Sequence, residues 1–155
     1  MHDLALLLHF LGAFLLVSGM AVAGVAFEAA RRRRAPSEIA LLLGLARVGA
    51  VALALGTILA LGCGLWLVHL DGFGYGTGWI TASIALLAAA LVLGGLGGQR
   101  PKQARKLAVA ETGRRETASP ELGALLDDRP ARALNVVSLL LIAAIVVLMV
   151  TKPGS

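Results

Sequence analysis

Three histidines, His2, His9 and His69, are the residues of this 155-residue chain whose side chains are best suited to chemistry. His9 lies inside an apolar run that extends over residues 4–30, and His69 follows a second apolar run. An ionisable side chain within a membrane segment is a functional candidate by default, because its burial is costly. Neutral imidazole is a ligand of haem iron and of copper. We therefore predict His9 and His69 as candidate cofactor-binding residues, for a b-type haem or a copper ion.

Two other interpretations of His9 stay open at this stage. A neutral histidine inside a span needs only a hydrogen-bond partner, so His9 could serve helix packing alone. It could also handle protons or ions. A pair of haem ligands usually lies at matched depth on facing helices, and His69 lies at the outer end of its span while His9 lies deeper in the outer half. No residue of the chain is predicted to be catalytic, and no metal site beyond this pair is indicated.

The composition indicates an integral membrane protein. The chain is 58% hydrophobic and 15% charged, which leaves too little polar surface for a soluble domain of this size. The formal net charge of +5 does not indicate nucleic-acid binding, because the basic residues cluster at the ends of apolar runs, where they set topology. The single cysteine, Cys63, lies in an apolar run and is expected to be a packing residue.

The apolar runs predict four membrane-spanning helices, because about 20 apolar residues cross the hydrocarbon core. We expect an all-α protein of one domain, residues 1–155, folded as a four-helix transmembrane bundle. The predicted spans are residues 4–27, 48–70, 79–97 and 133–150, with polar loops at 31–37 and 99–132. In the first loop, Pro36 is expected to end a helix and Ser37 to cap the next one, which would begin at Glu38.

Small residues recur on one face of several spans and predict close helix packing. In the first span this face comprises His9, Gly12, Leu16, Gly19 and Ala23, and in the second it comprises Ala52, Gly56, Ala60 and Gly64. Gly94 and Gly98 form a GxxxG pair at the inner end of the third span. Asn135 and Ser138 could hydrogen-bond to neighbouring helices. These glycine faces could also mediate a dimer.

The positive charges predict the orientation. Cytoplasmic loops carry the excess of Lys and Arg, and placing both polar loops inside leaves thirteen of the fourteen basic residues there, with only Lys152 outside. Both termini are therefore expected outside the cytoplasm. Five arginines are interpreted as topogenic or lipid-contacting, with anionic head groups as partners: Arg31, Arg32, Arg33, Arg34 and Arg47.

The polar segments are predicted to be structural. Residues 101–111 indicate a basic interfacial helix, and Ser119 is placed to cap a short helix that starts at Pro120. The glycine-rich outer loop lacks the lysine and the strand–loop–helix context of a phosphate-binding loop. We expect a turn there, with Phe73, Tyr75 and Trp79 at the membrane interface.

Short motifs resemble a bacterial family of predicted four-helix integral membrane proteins of unknown function. The motifs are Leu8-His9-Phe10-Leu11-Gly12, the arginine cluster, Gly78-Trp79-Ile80, and residues 148–154. That family is distantly similar to the copper-resistance D proteins and to the membrane-type protoporphyrinogen oxidases. The resemblance to the oxidases implies a haem-ligand role for His9. The chain departs from the oxidases at Leu6, where a lysine is usual, and it has no lysine embedded in its later spans.

We accordingly expect a multi-pass protein of the bacterial inner membrane without enzymatic activity. Its expected role is that of a scaffold or accessory subunit, with a second copy or a membrane-complex protein as a partner. A haem- or copper-binding redox protein that uses His9 is the first alternative. A transporter of metal or small solutes is the second, although such proteins normally carry an embedded carboxylate and these spans show none.

Overall fold

A computed structural model describes residues 1–70, 72 and 77–151 of the chain. The protein is all-α, as predicted. The described residues form six helices, which are α1 (His2–Arg31), α2 (Pro36–Leu70), α3 (Gly78–Gly97), α4 (Gln99–Glu111), α5 (Pro120–Leu126) and α6 (Arg129–Thr151). The helical stretches that contain α1, α2, α3 and α6 are each long and apolar enough to cross a membrane, which confirms the four predicted spans. The expected interfacial Phe73 and Tyr75, and the outer Lys152, lie outside the described residues.

The residues at the N-termini of α2 and α5 explain where these helices begin. Pro36 is the first residue of α2, where its missing N–H costs nothing. The prediction that Pro36 ends a helix and that Ser37 caps the next was therefore wrong: Ser37 lies inside the first turn of α2. The prediction for α5 is confirmed, since the Ser119 hydroxyl accepts a hydrogen bond from the N–H of Leu122 at 3.2 Å and Pro120 opens the helix.

The chain divides into two compact units. The first unit comprises Met1–Asp71 and Pro101–Asp127, so it contains α1, α2, α5 and most of α4. The second unit comprises Gly72–Arg100 and Asp128–Ser155 and contains α3 and α6. The expectation of a single domain stays a prediction.

Glycines bring α1 and α2 into backbone contact, antiparallel to one another. A Cβ atom on Gly19 would lie 2.6 Å from the carbonyl oxygen of Gly49, and one on Gly56 would lie 2.7 Å from that of Gly12. Real side chains cannot approach backbone atoms so closely, so only glycine fits at these positions. Small residues permit such approach between membrane helices, where dispersion forces and not water drive association. The small faces predicted for the first two spans thus form contacts with one another within the chain.

A folded cap covers the ends of α1 and α2. We define the cap as α4, α5 and the loop between them, and its core comprises Ala30, Ile39, Leu43, Ala104, Ala108, Leu122 and Leu126. Each of these side chains is at most 4% exposed, which makes this the best-buried part of the unit. The predicted helix at residues 101–111 exists as α4, but it lies against α1 and α2 as well as carrying basic residues on its outer face.

In the second unit, α3 and α6 pack through small and polar residues. The Ser138 hydroxyl donates a hydrogen bond to the carbonyl oxygen of Ala90 at 2.9 Å, which confirms the prediction that this serine bonds across helices. Asn135 lies against Gly97, where any Cβ would collide with its amide. The close approach of α3 to α6 therefore occurs at Gly94 and Gly97. Gly98, the second glycine of the predicted pair, does not take part, since a Cβ there would meet only the carbonyl oxygens of its own helix.

Candidate functional site

His9 is tied to the backbone of the neighbouring helix. Its Nδ1 lies 2.8 Å from the carbonyl oxygen of Ala60, and only a protonated Nδ1 can make this hydrogen bond, because a carbonyl only accepts. The tautomer with hydrogen on Nδ1 leaves Nε2 as an unprotonated lone pair in the neutral ring. Nε2 makes no hydrogen bond to any described residue. The ring is therefore fixed at one nitrogen and available at the other.

A glycine on α2 accommodates the His9 ring. A Cβ on Gly64 would lie 3.1 Å from both Cε1 and Nδ1 of His9, so the ring rests against the bare backbone at that position. The Phe10 ring lies beside it, with centroids 6.2 Å apart. His9 is half-buried in this setting, on the face of α1 that the small-residue pattern predicted.

His69 does not share this site. It is exposed at the last turn of α2, five residues beyond Gly64, which is about 7.5 Å further along the helix axis. His2 is exposed at the first residue of α1, where its ring lies 3.7 Å from the Asp3 carboxylate. Over the described ranges of the chain, no three His, Cys, Asp or Glu side chains come close enough to hold a metal ion. The structure thus places His9 alone among the predicted ligands in the packed part of a span.

Three hydroxyl groups inside the spans are bonded to helix backbone. The Thr57 and Ser83 hydroxyls donate to the carbonyl oxygens four residues earlier, at 2.8 Å each, and Ser138 bonds to Ala90. Such bonds satisfy the hydroxyls locally, as hydrocarbon requires. These hydroxyls therefore serve folding, whereas His9 keeps an unbonded ring nitrogen among the described residues.

The arginines of the predicted topogenic block have different environments. Arg31 is only 15% exposed, and it donates to the Glu28 carboxylate at 2.9 Å and to Asp127 at 2.6 Å. It therefore ties the end of α1 to the end of α5. Arg32, Arg33 and Arg34 are exposed, although the carbonyl oxygen of Arg34 accepts a hydrogen bond from the N–H of Ala118 at 2.7 Å. Arg47 is exposed on α2.

The cap contains a buried carboxylate that was not predicted from the sequence. Glu111 is 8% exposed at the end of α4, and its carboxylate accepts a hydrogen bond from the N–H of Ser119 at 3.1 Å. Hydrogen bonding to Ser119, aided by the charge of Arg115, holds the pKa of the Glu111 carboxyl below its ordinary value despite burial. A signal was present, because Ala104, Ala108 and Glu111 follow the i, i+4, i+7 spacing of one helix face.

Comparison with known proteins identifies a family and no closer relative. The model of the family described as "Predicted integral membrane protein (DUF2269)" matches residues 3–153. Neither a curated protein nor a solved structure matches the chain.

Proposed function

Since the chain belongs to the DUF2269 family of predicted integral membrane proteins, we propose that it is a non-enzymatic scaffold or accessory subunit of the bacterial inner membrane. In this proposal both termini lie outside the cytoplasm, and the cap lies on the cytoplasmic side. The distribution of charge supports this orientation, because the cap side would hold thirteen of the fourteen Lys and Arg residues.

The main support for this proposal is that the cap is folded. A segment that merely connects two spans needs no core of its own, yet here residues of four helices bury seven side chains together. The Arg31 ion pairs and the hydrogen bond from Ala118 to Arg34 fix this cap to α1 and to the loop before α2. A rigid, folded surface at the membrane boundary suits a subunit that holds a partner in place.

The experiment measures the size of the native assembly. The protein is extracted from its own membranes in a mild detergent and resolved by native electrophoresis, beside the purified single chain of 15.9 kDa in the same detergent. We expect the native species to be larger than the single chain, and Leu122→Asp to abolish the larger species by disrupting the cap core. Val109→Asp is the matched control, because Val109 is 53% exposed on the same cap. A wild-type protein that migrates as the single chain contradicts the proposal.

The His9 geometry favours a second candidate, a haem- or copper-binding redox protein. A ligating histidine usually donates its other ring N–H to a carbonyl or carboxylate, which fixes the ring and its tautomer. His9 has this arrangement through Ala60, with Nε2 left to bind a metal. A bound haem or copper ion would supply one-electron chemistry, and the chain would orient it through α1 and α2. His69 lies too far along α2 to be assigned the second ligand from its position.

A visible spectrum tests this candidate. The protein is purified in mild detergent, and absorption is recorded before and after dithionite, with metal analysis of the same sample for copper. A Soret band that is present in the wild type and lost in His9→Gln supports haem ligation, because glutamine keeps a donor for Ala60 and removes the ring nitrogen. A colourless, copper-free preparation that stays colourless when haem is added rules the candidate out.

A further inference from the structure

Arg47 is an arginine for which the described residues provide no counter-ion. It is exposed on α2, and within the ranges 1–70, 72 and 77–151 it has neither an ion pair nor a hydrogen bond from its side chain. Two arginines near helix ends have such partners: Arg31 binds two carboxylates, and Arg100 lies 2.8 Å from Asp128. A cation without a partner at a membrane boundary indicates that its anion comes from elsewhere.

Along α2, Arg47 lies at the boundary between the cap core and the apolar part of the helix. Leu43 is the last α2 residue of the cap core, and Arg47 follows one helical turn later. A Cβ on Gly49 would lie 2.7 Å from the backbone nitrogen of Ala23, so Arg47 lies close to the level of residues 24–25 on α1. That level is about 10 Å from Arg31 toward the middle of the span. From Val48 to Val68, α2 carries no further charge.

The surface around Arg47 is apolar and exposed. Val48 and Val51, which follow Arg47 on α2, are 63% and 53% exposed. In a membrane such side chains contact acyl chains. The position of Gly44, three residues before Arg47, has open space around it. Because long side chains on a helix lie back over the preceding turn, the Arg47 side chain has a free path from this apolar surface toward the head groups at the level of the cap.

Arg105 is a second arginine next to the cap core, and no described carboxylate pairs with it. It lies on α4 between Ala104 and Ala108, both fully buried. Its own side chain is half-buried, and its Nε is buried with no hydrogen-bond partner. Arg47 and Arg105 thus each border the cap core, one from α2 and one from α4, and neither is neutralised by a described residue.

We propose that Arg47 binds the phosphate of an anionic phospholipid in the leaflet on the side of the cap, with Arg105 as a second positive charge that favours the same lipid. The guanidinium group pairs with phosphate oxygens through two parallel hydrogen bonds, which gives it geometric preference for this anion. The acyl chains cover the exposed valines on α2. This apolar surface favours a lipid over free phosphate, which has no chains to cover it. The inference depends on membrane insertion and not on the scaffold role.

The test measures how lipids stabilise the full chain in mild detergent. The unfolding midpoint is recorded with added phosphatidylglycerol and, separately, with phosphatidylcholine. We expect a rise with phosphatidylglycerol alone, and we expect Arg47→Gln to lose at least half of that rise. Arg105→Gln should lose a smaller part. Arg114→Gln is the control, because it removes the same charge from an exposed position in the loop of the cap, and it should keep the full rise.

Three results overturn the proposal. An equal rise with both lipids removes the requirement for an anionic head group. An equal loss in Arg47→Gln and Arg114→Gln assigns the effect to overall charge. A rise that inorganic phosphate reproduces assigns the site to a free anion. If Arg47→Gln does not fold, native mass spectrometry of the wild type decides: phosphatidylglycerol that stays bound while phosphatidylcholine dissociates supports the site, and equal dissociation overturns it.

Discussion

The Nδ1 atom of His9 and the carbonyl oxygen of Ala60 lie 2.8 Å apart, so one side chain of α1 bonds directly to the backbone of α2. The acceptor is a carbonyl inside a helix, and this carbonyl already serves the α2 hydrogen-bond ladder. The bond therefore adds a second acceptor contact at Ala60 and fixes the rotation of α1 against α2. Whatever else His9 binds, this contact fixes its ring in place.

Removal of this bond should destabilise the first unit. We expect His9→Ala to lower the free energy of unfolding in detergent by about 1–2 kcal/mol, since one hydrogen bond and the packing of the ring on Gly64 are lost. His9→Gln should lose less, because its amide can still donate to Ala60. The unfolding midpoint measures both, and His69→Ala serves as the exposed control. An unchanged midpoint in His9→Ala would show that the bond contributes nothing.

The glycine contacts should tolerate no methyl group. We expect Gly56→Ala to destabilise the α1–α2 pair by about 1–3 kcal/mol, the usual cost of overpacking, because its Cβ would press on the backbone around Gly12 and Leu16. Gly62→Ala is the matched control on the same helix, where the added Cβ meets nothing within 4 Å. Denaturation in detergent compares the two. Equal midpoints for both variants would contradict the close approach.

The core of the cap should depend on Leu122. This side chain is fully buried, and its truncation to alanine typically costs about 2–5 kcal/mol. We expect the loss to be local, so hydrogen exchange should rise in α4 and α5 while α1 and α2 keep their protection in the membrane part. Val109→Ala, at an exposed site of α4, should leave exchange unchanged. Uniform exchange changes along all helices would mean that the cap is not a separable structure.

Acidification should destabilise the cap, because the Glu111 carboxylate becomes protonated. The pKa of its carboxyl is below the ordinary value of 4.5 in the folded protein, so the carboxylate stabilises the fold fully above that value. The contribution is lost as the pH falls from there through the lower pKa of the folded state. Amide exchange around Ser119 should therefore accelerate, relative to the intrinsic rate, as the pH falls below about 4.5. Glu111→Gln should remove this dependence, whereas the exposed Glu116→Gln should keep it.

The membrane topology should follow the charge. A reporter that fluoresces only in the cytoplasm should stay dark when fused after the last residue, and the same reporter placed at Gly113 in the loop of the cap should fluoresce. Replacing the four residues Arg31 to Arg34 by glutamine should weaken this preference, because the block supplies much of the charge bias. A bright C-terminal fusion would reverse the orientation.

The spans could be predicted from sequence because hydrocarbon imposes a strong local requirement. Twenty apolar residues and a face of small ones are visible within one segment, so α1 and the face that carries His9 were found. The cap could not be predicted in the same way. Its core joins Ala30 and Ile39 to Leu122, about ninety residues further on, and no local pattern records that contact. The choice of Gly97 over Gly98 depends on the rotation of α3, which a GxxxG motif does not fix.

The sequence predicts His9 as the site residue, but it does not predict the hydrogen bond that His9 makes. An isolated histidine in a span is visible in any hydropathy plot, but its acceptor is a backbone carbonyl, which every residue possesses. Ala60 therefore carries no sequence signature. The buried Glu111 was missed because a glutamate in a charged loop has the composition of a surface residue, and only its register with Ala104 and Ala108 marks it as internal.

The first unit is discontinuous along the chain, since Met1–Asp71 is completed by Pro101–Asp127 only after Gly72–Arg100 has intervened. During synthesis α1 and α2 therefore emerge and insert before the cap exists, and Ile39 and Leu43 remain uncovered until residues near 126 leave the ribosome. A nascent chain halted after the third span would expose this apolar surface to solvent, and chaperones or proteases of the membrane could recognise it. The order of translation thus makes cap formation a late step in the folding of the first unit.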